Sequence, residues 1–278
     1  MPEDSLALGG QALIEGVLIK TNAKISMAAR TPKGIVRKTR PYVSWTKKSR
    51  FFALPVIRGI VSLVEMLVIG YRALVWSAEL QDAQKMKWWE GATSMLFAGV
   101  LVIGLFVFAP YYLARIWFLP TSLWFHITEG IIRMVVFILY LATMSLFPDV
   151  LQSFMYHGAE HKAVHCHEAK KILTAKNVQQ FRPEHPRCGT SFLVIVVVVS
   201  ILFFSLVRFS SWYYNIAARL VLVPVIVGIS FELLKLSARR AKLSKILVQP
   251  GLLVQRLTTR EPTDDQVEVA IAAVKGVL

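Results

Sequence analysis

Four long apolar stretches dominate the chain, at residues 93–114, 131–147, 190–207 and 216–236. A helix needs about 20 mostly apolar residues to cross the hydrocarbon core of a bilayer. The composition agrees, since 55% of the 278 residues are hydrophobic. Only 18% are charged, against roughly 25% in soluble domains. The sequence therefore predicts a mainly α, polytopic membrane protein with four transmembrane helices. It excludes a soluble globular domain and, with two cysteines, a disulfide framework.

A fifth apolar stretch, residues 51–77, carries Arg58, Glu65 and Arg72 at seven-residue intervals. This spacing places the three charges on one face of a helix, and such a face is unfavourable in lipid. Two interpretations remain open. The segment is either an amphipathic helix lying in the membrane interface or a re-entrant helix whose charged face is buried against protein.

The distribution of basic residues predicts the orientation. Residues 1–50 hold ten Lys and Arg, residues 148–188 hold six and residues 238–278 hold seven, whereas the connections 116–127 and 209–215 hold none. If residues 51–77 do not cross, all three basic regions fall on the cytoplasmic side, as the positive-inside rule requires. We therefore expect a multi-pass protein with both termini cytoplasmic. Aromatic residues mark the opposite face: Trp117, Trp124, Trp212, Tyr213 and Tyr214.

Two charged sites border the predicted spans. Arg133 stands near the start of the second stretch, and we expect it to snorkel toward the headgroups. The run Arg239-Arg240-Ala241-Lys242 follows the fourth stretch as a stop-transfer signal would.

The regions outside the membrane predict a small cytoplasmic α+β cap. Strands are expected at 12–20, 24–31 and 35–45, with Gly9, Gly10 and Gly16 as bulge or close-approach positions. Near the C-terminus we expect a turn at Pro250-Gly251 and a strand over 252–258. An amphipathic helix follows, with a capping box from Thr263 to Gln266 and a stop at Gly276.

The resulting segments are a basic β-rich region 1–50, an interfacial or re-entrant helix 51–77, a first transmembrane hairpin 93–147, a His/Cys cluster 148–188, a second hairpin 189–237 and a tail 238–278.

Candidate chemistry is concentrated between the second and third spans. Five of the six histidines and both cysteines lie within residues 157–188. His157, His161 and His165 are spaced i, i+4, i+8 and share one helical face. Residues 157–161 also match the H-x-x-E-H pattern of inverted zinc metallopeptidases. There the histidines hold zinc and the glutamate, here Glu160, is the general base.

The ligand set has several interpretations. His165, Glu168, His185 and Cys188 are all candidates for a third ligand. The predicted metal-site residues are His157, His161, His165, His185 and Cys188, with zinc as the expected ion. A closed structural site would use the same residues as a catalytic one. Cys188 could equally be an ordinary small buried residue. His167 lies off the histidine face, and the lone His126 is expected to be structural.

Several longer motifs resemble the YqhQ family of bacterial membrane proteins, a family of unknown function described as predicted metal-dependent enzymes. The matching segments are Gly9 to Val17, Pro55 to Gly59, His157 to Lys162, His165-Cys166, His185 to Ser191 and Gln255 to Pro262. The resemblance implies a bacterial inner-membrane protein and gives weight to His157, Glu160, His161, His185 and Cys188. It implies an aromatic residue at position 167, which speaks against His167 as a ligand.

Two functions follow as hypotheses. The first is a metal-dependent hydrolase at the cytoplasmic membrane face, with a lipid-linked molecule or membrane peptide as substrate. The second is a non-enzymatic accessory factor of membrane protein biogenesis, in which the basic region contacts a ribosome, a translocon or anionic lipid. Membrane lipid is the expected partner in either case, self-association stays open, and no specific DNA binding is expected. A transporter is less favoured, because no inverted repeat is visible.

Overall fold

The structure, a computed structural model, describes residues 8–81, 87–207, 209–237 and 247–278. The predicted stop-transfer run at 239–242 lies outside these residues. The described chain is mainly helical and contains one four-stranded sheet. Its helices are α1 (Ile57–Gln81), α2 (Trp88–Ile103), α3 (Ala109–Ala114), α4 (Leu123–Met144), α5 (Pro148–Glu168), α6 (Ala175–Gln179), α7 (Gly189–Ser205), α8 (Trp212–Ser237), α9 (Gln249–Thr258) and α10 (Asp264–Val277).

The sheet is an antiparallel meander of β1 (Gly9–Leu13), β2 (Gly16–Lys20), β3 (Lys24–Thr31) and β4 (Gly34–Pro41), in that order. The strand predicted at 24–31 is confirmed. The single strand predicted over 12–20 is wrong, because the chain reverses between Leu13 and Gly16 in a tight turn where Glu15 has a φ of 51°. The last strand ends at Pro41 rather than at residue 45, since proline cannot donate a ladder hydrogen bond.

Both faces of the sheet are covered. Val17 and Ile19 point into a core shared with α5 and α10, whereas Leu18 points to the opposite face and packs with Ile69 of α1. This alternation explains why β2 is an unbroken apolar run. The predicted C-terminal helix is confirmed as α10, with the Thr263–Gln266 capping box, although it continues through Gly276 to Val277.

The strand and turn predicted at 250–258 are wrong, because this segment is the helix α9. Pro250 lies in its first turn, where a missing N–H has no consequence. Gly251, Gln255 and Thr258 follow the i, i+4, i+7 spacing of one helical face, and all three are buried. The helix packs against α7 and places its C-terminal end beside α5.

Four helical stretches among the described residues are long and apolar enough to cross a membrane, which indicates a membrane protein. They are α1, α4, α8 and the continuous stretch Trp89–Ala114, in which a π-helical turn at Gly104–Phe108 joins α2 to α3. The prediction for 190–207 corresponds to α7, which has 17 residues and is shorter than these four. Its length is about 26 Å at 1.5 Å per residue.

Helix α1 contacts the sheet at one end and α8 at the other. The carboxylate of Glu65 accepts hydrogen bonds from the Trp45 backbone N–H at 2.7 Å and the Ser44 hydroxyl at 3.0 Å. The Ile14 N–H donates to the Ser77 hydroxyl. At the other end, Gly228 lies against the backbone of Val56, which precedes α1. The segment from residue 44 to 81 therefore runs from the sheet to α8 and back to the sheet.

Two members of the charged face of α1 are paired with protein. Arg58 forms a bidentate ion pair with Glu232 of α8, and Glu65 lies 3.4 Å from the ammonium group of Lys20. Arg72 is exposed. Two of the three charges are therefore paired within the protein, with Glu65 buried and Arg58 partly buried.

A buried ion network joins the apolar helices. Glu129 of α4 accepts from Arg219 of α8 at 2.8 Å and from Arg133 at 2.7 Å. Arg133 also donates to the Ser200 hydroxyl and to the Phe106 carbonyl in the π-helical turn. The prediction that Arg133 snorkels toward headgroups is therefore wrong, since its side chain is 5% exposed and its donors are satisfied within the bundle.

We predict that Glu129→Gln strongly destabilises the protein. The substitution leaves two buried guanidinium groups without their shared carboxylate, and breaking a buried pair in this way costs about 3–5 kcal/mol. Thermal unfolding of the detergent-solubilised protein measures the change. The matched control is Glu268→Gln, because the Glu268–Arg30 pair is exposed and such pairs contribute about 0–1 kcal/mol. Equal melting temperatures for the two variants would contradict the prediction.

Candidate functional site

Helix α5 carries most of the candidate residues. It begins at Pro148 in the first turn, with Asp149 favourably placed beside the N-terminus, and ends at Glu168. The spacing of His157, His161 and His165 places them on one face, as predicted. The rings of His157 and His161 are 4.3 Å apart between centroids. His185 packs against the same face, 4.5 Å from the ring of His165 and 5.5 Å from that of His161.

The structure divides the predicted ligands into two groups of three. His157, His161 and Cys188 form the first group, and their donor atoms lie within 4.8 Å of one another. The Cys188 sulfur is 3.3 Å from Nε2 of His157. Tetrahedral zinc with bonds of about 2.0 Å to nitrogen and 2.3 Å to sulfur separates such ligands by roughly 3.5 Å. The first group therefore fits a zinc-sized ion.

Backbone carbonyls fix the orientation of both histidines in this group. Nδ1 of His157 lies 2.8 Å from the Thr258 carbonyl oxygen, and Nδ1 of His161 lies 2.5 Å from that of Pro183. A carbonyl oxygen can only accept, so each Nδ1 carries the proton and each Nε2 presents a lone pair. Metal-binding histidines show this same arrangement, with one ring nitrogen on the ion and the other donating to a carbonyl or carboxylate.

Cys188 is placed by the start of α7. It is the N-cap residue of that helix, and its sulfur accepts from the Thr190 N–H at 3.4 Å. The Thr190 hydroxyl is in turn 3.2 Å from the hydroxyl of Thr258. The sulfur thus faces His157 at the N-terminus of α7.

Glu160 lies in the same interior, beside Gly10 of β1. A Cβ atom at Gly10 would come within 2.5 Å of the Glu160 carboxylate oxygen, so the absence of a side chain at position 10 makes room for the acid. The close approach predicted for Gly10 is confirmed, whereas the space around Gly9 is open. No hydrogen-bond partner of Glu160 lies among the described residues. Burial raises the pKa of Glu160 to about 8, opposed by His157 and reinforced by Cys188.

The second group consists of His165, Glu168 and His185. Nε2 of His185 lies 3.5 Å from a Glu168 carboxylate oxygen, and Nδ1 of His185 accepts from the Arg187 N–H at 3.2 Å. Glu168 also forms an ion pair with the Arg187 guanidinium. Because Nδ1 of His185 accepts a hydrogen bond, Nε2 carries the proton of the neutral ring and has no lone pair for a metal. The Arg187 guanidinium would compete with a metal ion for the Glu168 carboxylate. These contacts favour the first group over the second as a metal site.

Two histidines of the cluster, His161 and His185, are uncharged near neutral pH. Burial lowers the pKa of His185 to about 4 and lowers the pKa of His161 well below its usual value of 6.5. Burial also raises the pKa of the Cys188 thiol. A neutral imidazole is the form that binds metal, so His161 is ready for a cation, whereas Cys188 must release a proton to bind one.

Sequence reasoning missed the residues that hold the ligands in place. Gln255, completely buried on α9, accepts from the His185 N–H and donates to the His185 carbonyl and the Ser191 hydroxyl. The Arg260 carbonyl approaches Gly158 so closely that a Cβ there would lie 2.0 Å from it. The match of residues 255–262 to the family pattern was the signal, but only the fold shows that this segment packs on α5.

A cavity of about 400 Å³ adjoins the first ligand group. Its polar side is formed by His157, Glu160, His161, His185 and Cys188. The remaining wall is mostly apolar and includes residues of α1, α7 and α8. A cavity of this size and character is typical of a small-molecule site.

Comparison with known proteins supports the family resemblance. Residues 54–278 match a family described as protein of unknown function (DUF1385). The chain is 32% identical to the uncharacterized protein YqhQ of Bacillus subtilis (strain 168) over 300 aligned residues, which cover 98% of this chain and 92% of that relative. No solved structure matches the chain. The extent of both matches shows that the chain belongs to the YqhQ (DUF1385) family.

Proposed function

We propose that the protein is a metal-dependent hydrolase acting at the cytoplasmic face of the bacterial inner membrane. One observation carries the proposal: Nε2 of His157 and His161 and the sulfur of Cys188 converge, with the buried carboxyl of Glu160 lining the same cavity. Three protein ligands with an open fourth position are typical of catalytic zinc sites, whereas structural zinc sites use four.

Each residue has a defined role in this proposal. His157, His161 and Cys188 hold the ion, and Thr258 and Pro183 fix the two imidazoles through their carbonyls. A bound zinc ion would supply Lewis acidity toward a carbonyl or phosphoryl oxygen. His185 lines the same cavity as a neutral group, and Glu168 is paired with Arg187 rather than free for an ion.

Glu160 is the general base. Its pKa of about 8 keeps the carboxyl protonated at neutral pH in the absence of a cation. This pKa falls when a divalent cation occupies the neighbouring ligands, since opposite charge favours the carboxylate. Glu160 then takes a proton from the attacking water and delivers it to the leaving atom. One water is added across the broken bond, and the acid is returned to its starting state.

The membrane arrangement we propose has four crossings and one re-entrant helix. The crossings are α2–α3, α4, α7 and α8, and the short α7 requires a locally thin bilayer or protein on both sides. The sheet, α5 and α10 share one core at the cytoplasmic end. Exposed aromatic residues lie at the opposite end: Trp117, Trp124, Trp212, Tyr213 and Tyr214. Because the chain leaves the sheet at Pro41 and returns to it at Gln81, which donates to the Arg30 carbonyl, we place α1 as re-entrant rather than crossing.

A second function, an accessory role in membrane protein biogenesis, is supported by a different observation. Strand β4 is an exposed edge of the sheet, where Arg37 and Lys38, and Lys33 in the turn before the strand, are exposed. Such a strand fits an anionic surface, as on a ribosome or a lipid headgroup layer. Cross-linking in cells followed by mass spectrometry tests this role, and an absence of ribosomal and translocon peptides would contradict it.

The membrane arrangement predicts which positions react with a membrane-impermeant maleimide in intact cells. Thr121→Cys, between α3 and α4, should react from outside. Lys33→Cys and Lys176→Cys should react only after the cells are permeabilised. The two native cysteines, Cys166 and Cys188, are buried and should not react with the maleimide in the folded protein. Labelling of Lys33→Cys or Lys176→Cys in intact cells would exclude the proposed orientation.

The proposed chemistry predicts distinct effects on metal content and turnover. Purified wild-type protein should hold about one zinc ion per chain. His157→Ala and Cys188→Ser should lose at least about tenfold in metal affinity, because each removes a direct ligand. Glu160→Gln should keep the ion but reduce hydrolysis of a long-chain chromogenic ester by about 10²–10⁴-fold, the usual contribution of a general base. Elemental analysis and ester turnover are measured on the same samples.

His167→Ala is the matched control, since His167 lies on α5 outside both ligand groups. It should leave metal content and turnover unchanged. Full turnover by Glu160→Gln with its ion retained would identify a structural site. Wild-type protein purified without chelators and free of metal would refute the metal site itself.

A further inference from the structure

The cavity beside the first ligand group has the lining expected of a binding site for a molecule with a long apolar chain. One side is formed by α1, with Leu63 and Met66, and another by α8, with Phe231 and Leu234. Phe192 of α7 completes this apolar part. All five belong to the apolar helices of the membrane part, whereas the ionisable side chains of the cavity lie on α5 or in the segment preceding α7.

The ionisable side chains of the cavity and its apolar side chains come from different parts of the chain. His157, Glu160 and His161 come from α5 in the cytoplasmic cap, and Cys188 comes from the N-terminus of α7. The cavity therefore joins a polar reactive end to an apolar wall on membrane helices. A ligand that satisfies both regions has a hydrolysable polar group attached to a long apolar chain.

The position of α1 brings this apolar wall into contact with the membrane. The segment before α1 exposes large apolar side chains, with Phe51 60% and Leu54 48% exposed, and water would not favour such a cluster. The same segment leads to Val56, which lies against Gly228 in the apolar helix α8. Residues 51–66 therefore form a membrane-facing wall, with the cavity behind it.

We infer that the cavity binds an amphiphile from the cytoplasmic leaflet, with its apolar chain between α1 and α8 and its polar group at the His157–Cys188 site. The position given to the polar group rests on the proposed function, whereas the site for the apolar chain, called the chain site below, does not depend on it. A volume of about 400 Å³ is room for roughly 13 water-sized groups, enough for the part of a chain nearest the polar group. The remainder of the chain stays in the bilayer.

Photolabelling of the full-length protein in phosphatidylglycerol vesicles tests the inference. The probe is a fatty acid with a diazirine at mid-chain, and labelled residues are mapped by mass spectrometry. We expect labelling of Met66, Phe231 and Leu234 that excess unlabelled lauric acid removes. Leu63→Trp fills the cavity and should reduce this competable labelling by about tenfold, the loss expected when two methylene groups are excluded from an apolar site.

Leu67→Trp is the matched control, because Leu67 lies one turn further along α1 and is 59% exposed. It should leave the competable labelling unchanged. Leu234→Trp, on the opposite wall, gives an independent result if Leu63→Trp fails to fold. Labelling that lauric acid does not compete, or that survives both cavity-filling substitutions, would overturn the inference.

His157→Ala separates the two proposals. If the chain site is correct, this variant should lose metal, and its competable labelling should fall less than that of Leu63→Trp, because the apolar walls are intact. A wild-type protein without metal but with competable labelling would refute the hydrolase and retain the chain site. A wild-type protein with metal but without competable labelling would refute the chain site and leave the hydrolase proposal standing.

Discussion

The hydrogen bonds from the two α5 histidines to backbone carbonyls determine how the candidate site is arranged. His157 is tied to Thr258 at the end of α9, and His161 is tied to Pro183 in the segment before α7. Each bond commits one ring nitrogen and turns the other toward Cys188. Because these carbonyls belong to segments far apart in sequence, the site forms only when α5, α7 and α9 are all in place. The close approach of the Arg260 carbonyl to Gly158 holds the C-terminal segment against α5 at the same level.

The apolar helices impose a second constraint, since polar groups in the hydrocarbon region need partners within the protein. Glu129 joins Arg133 and Arg219 across three helices, together with Ser200 of α7, and the π-helical turn contributes the Phe106 carbonyl. A network of this kind fixes the helices relative to one another. It lies beside the core formed by Tyr111, Phe125 and Ile216, with the Arg219 guanidinium 4.9 Å from the centre of the Tyr111 ring, and none of its residues lines the cavity at the candidate metal site.

Helix α1 connects the membrane part to the cap and to the site. Its Arg58 pairs with α8, its Glu65 pairs with Lys20 of the sheet, and its Leu63 and Met66 line the cavity. An apolar helix with charged residues along one face is poorly suited to lipid on all sides. It is well suited to a position with protein on one side and lipid on the other. The charged face left two interpretations of α1 open in the sequence. The same face places this helix at the boundary between protein and lipid, where an amphiphile would bind.

The sequence by itself determined the class of protein, the apolar helices, the strand 24–31, the capped C-terminal helix and the common face of His157, His161 and His165. These depend on composition, local periodicity and capping, which act over a few residues. It did not determine that residues 12–20 form a hairpin turn and strand, that residues 252–258 form a helix, or that Arg133 is buried in an ion network. Those outcomes depend on partners distant in sequence. The division of the ligands into two groups likewise required the tertiary structure, because only packing brings Thr258, Pro183 and Arg187 to the imidazoles and decides which nitrogen of each ring is free.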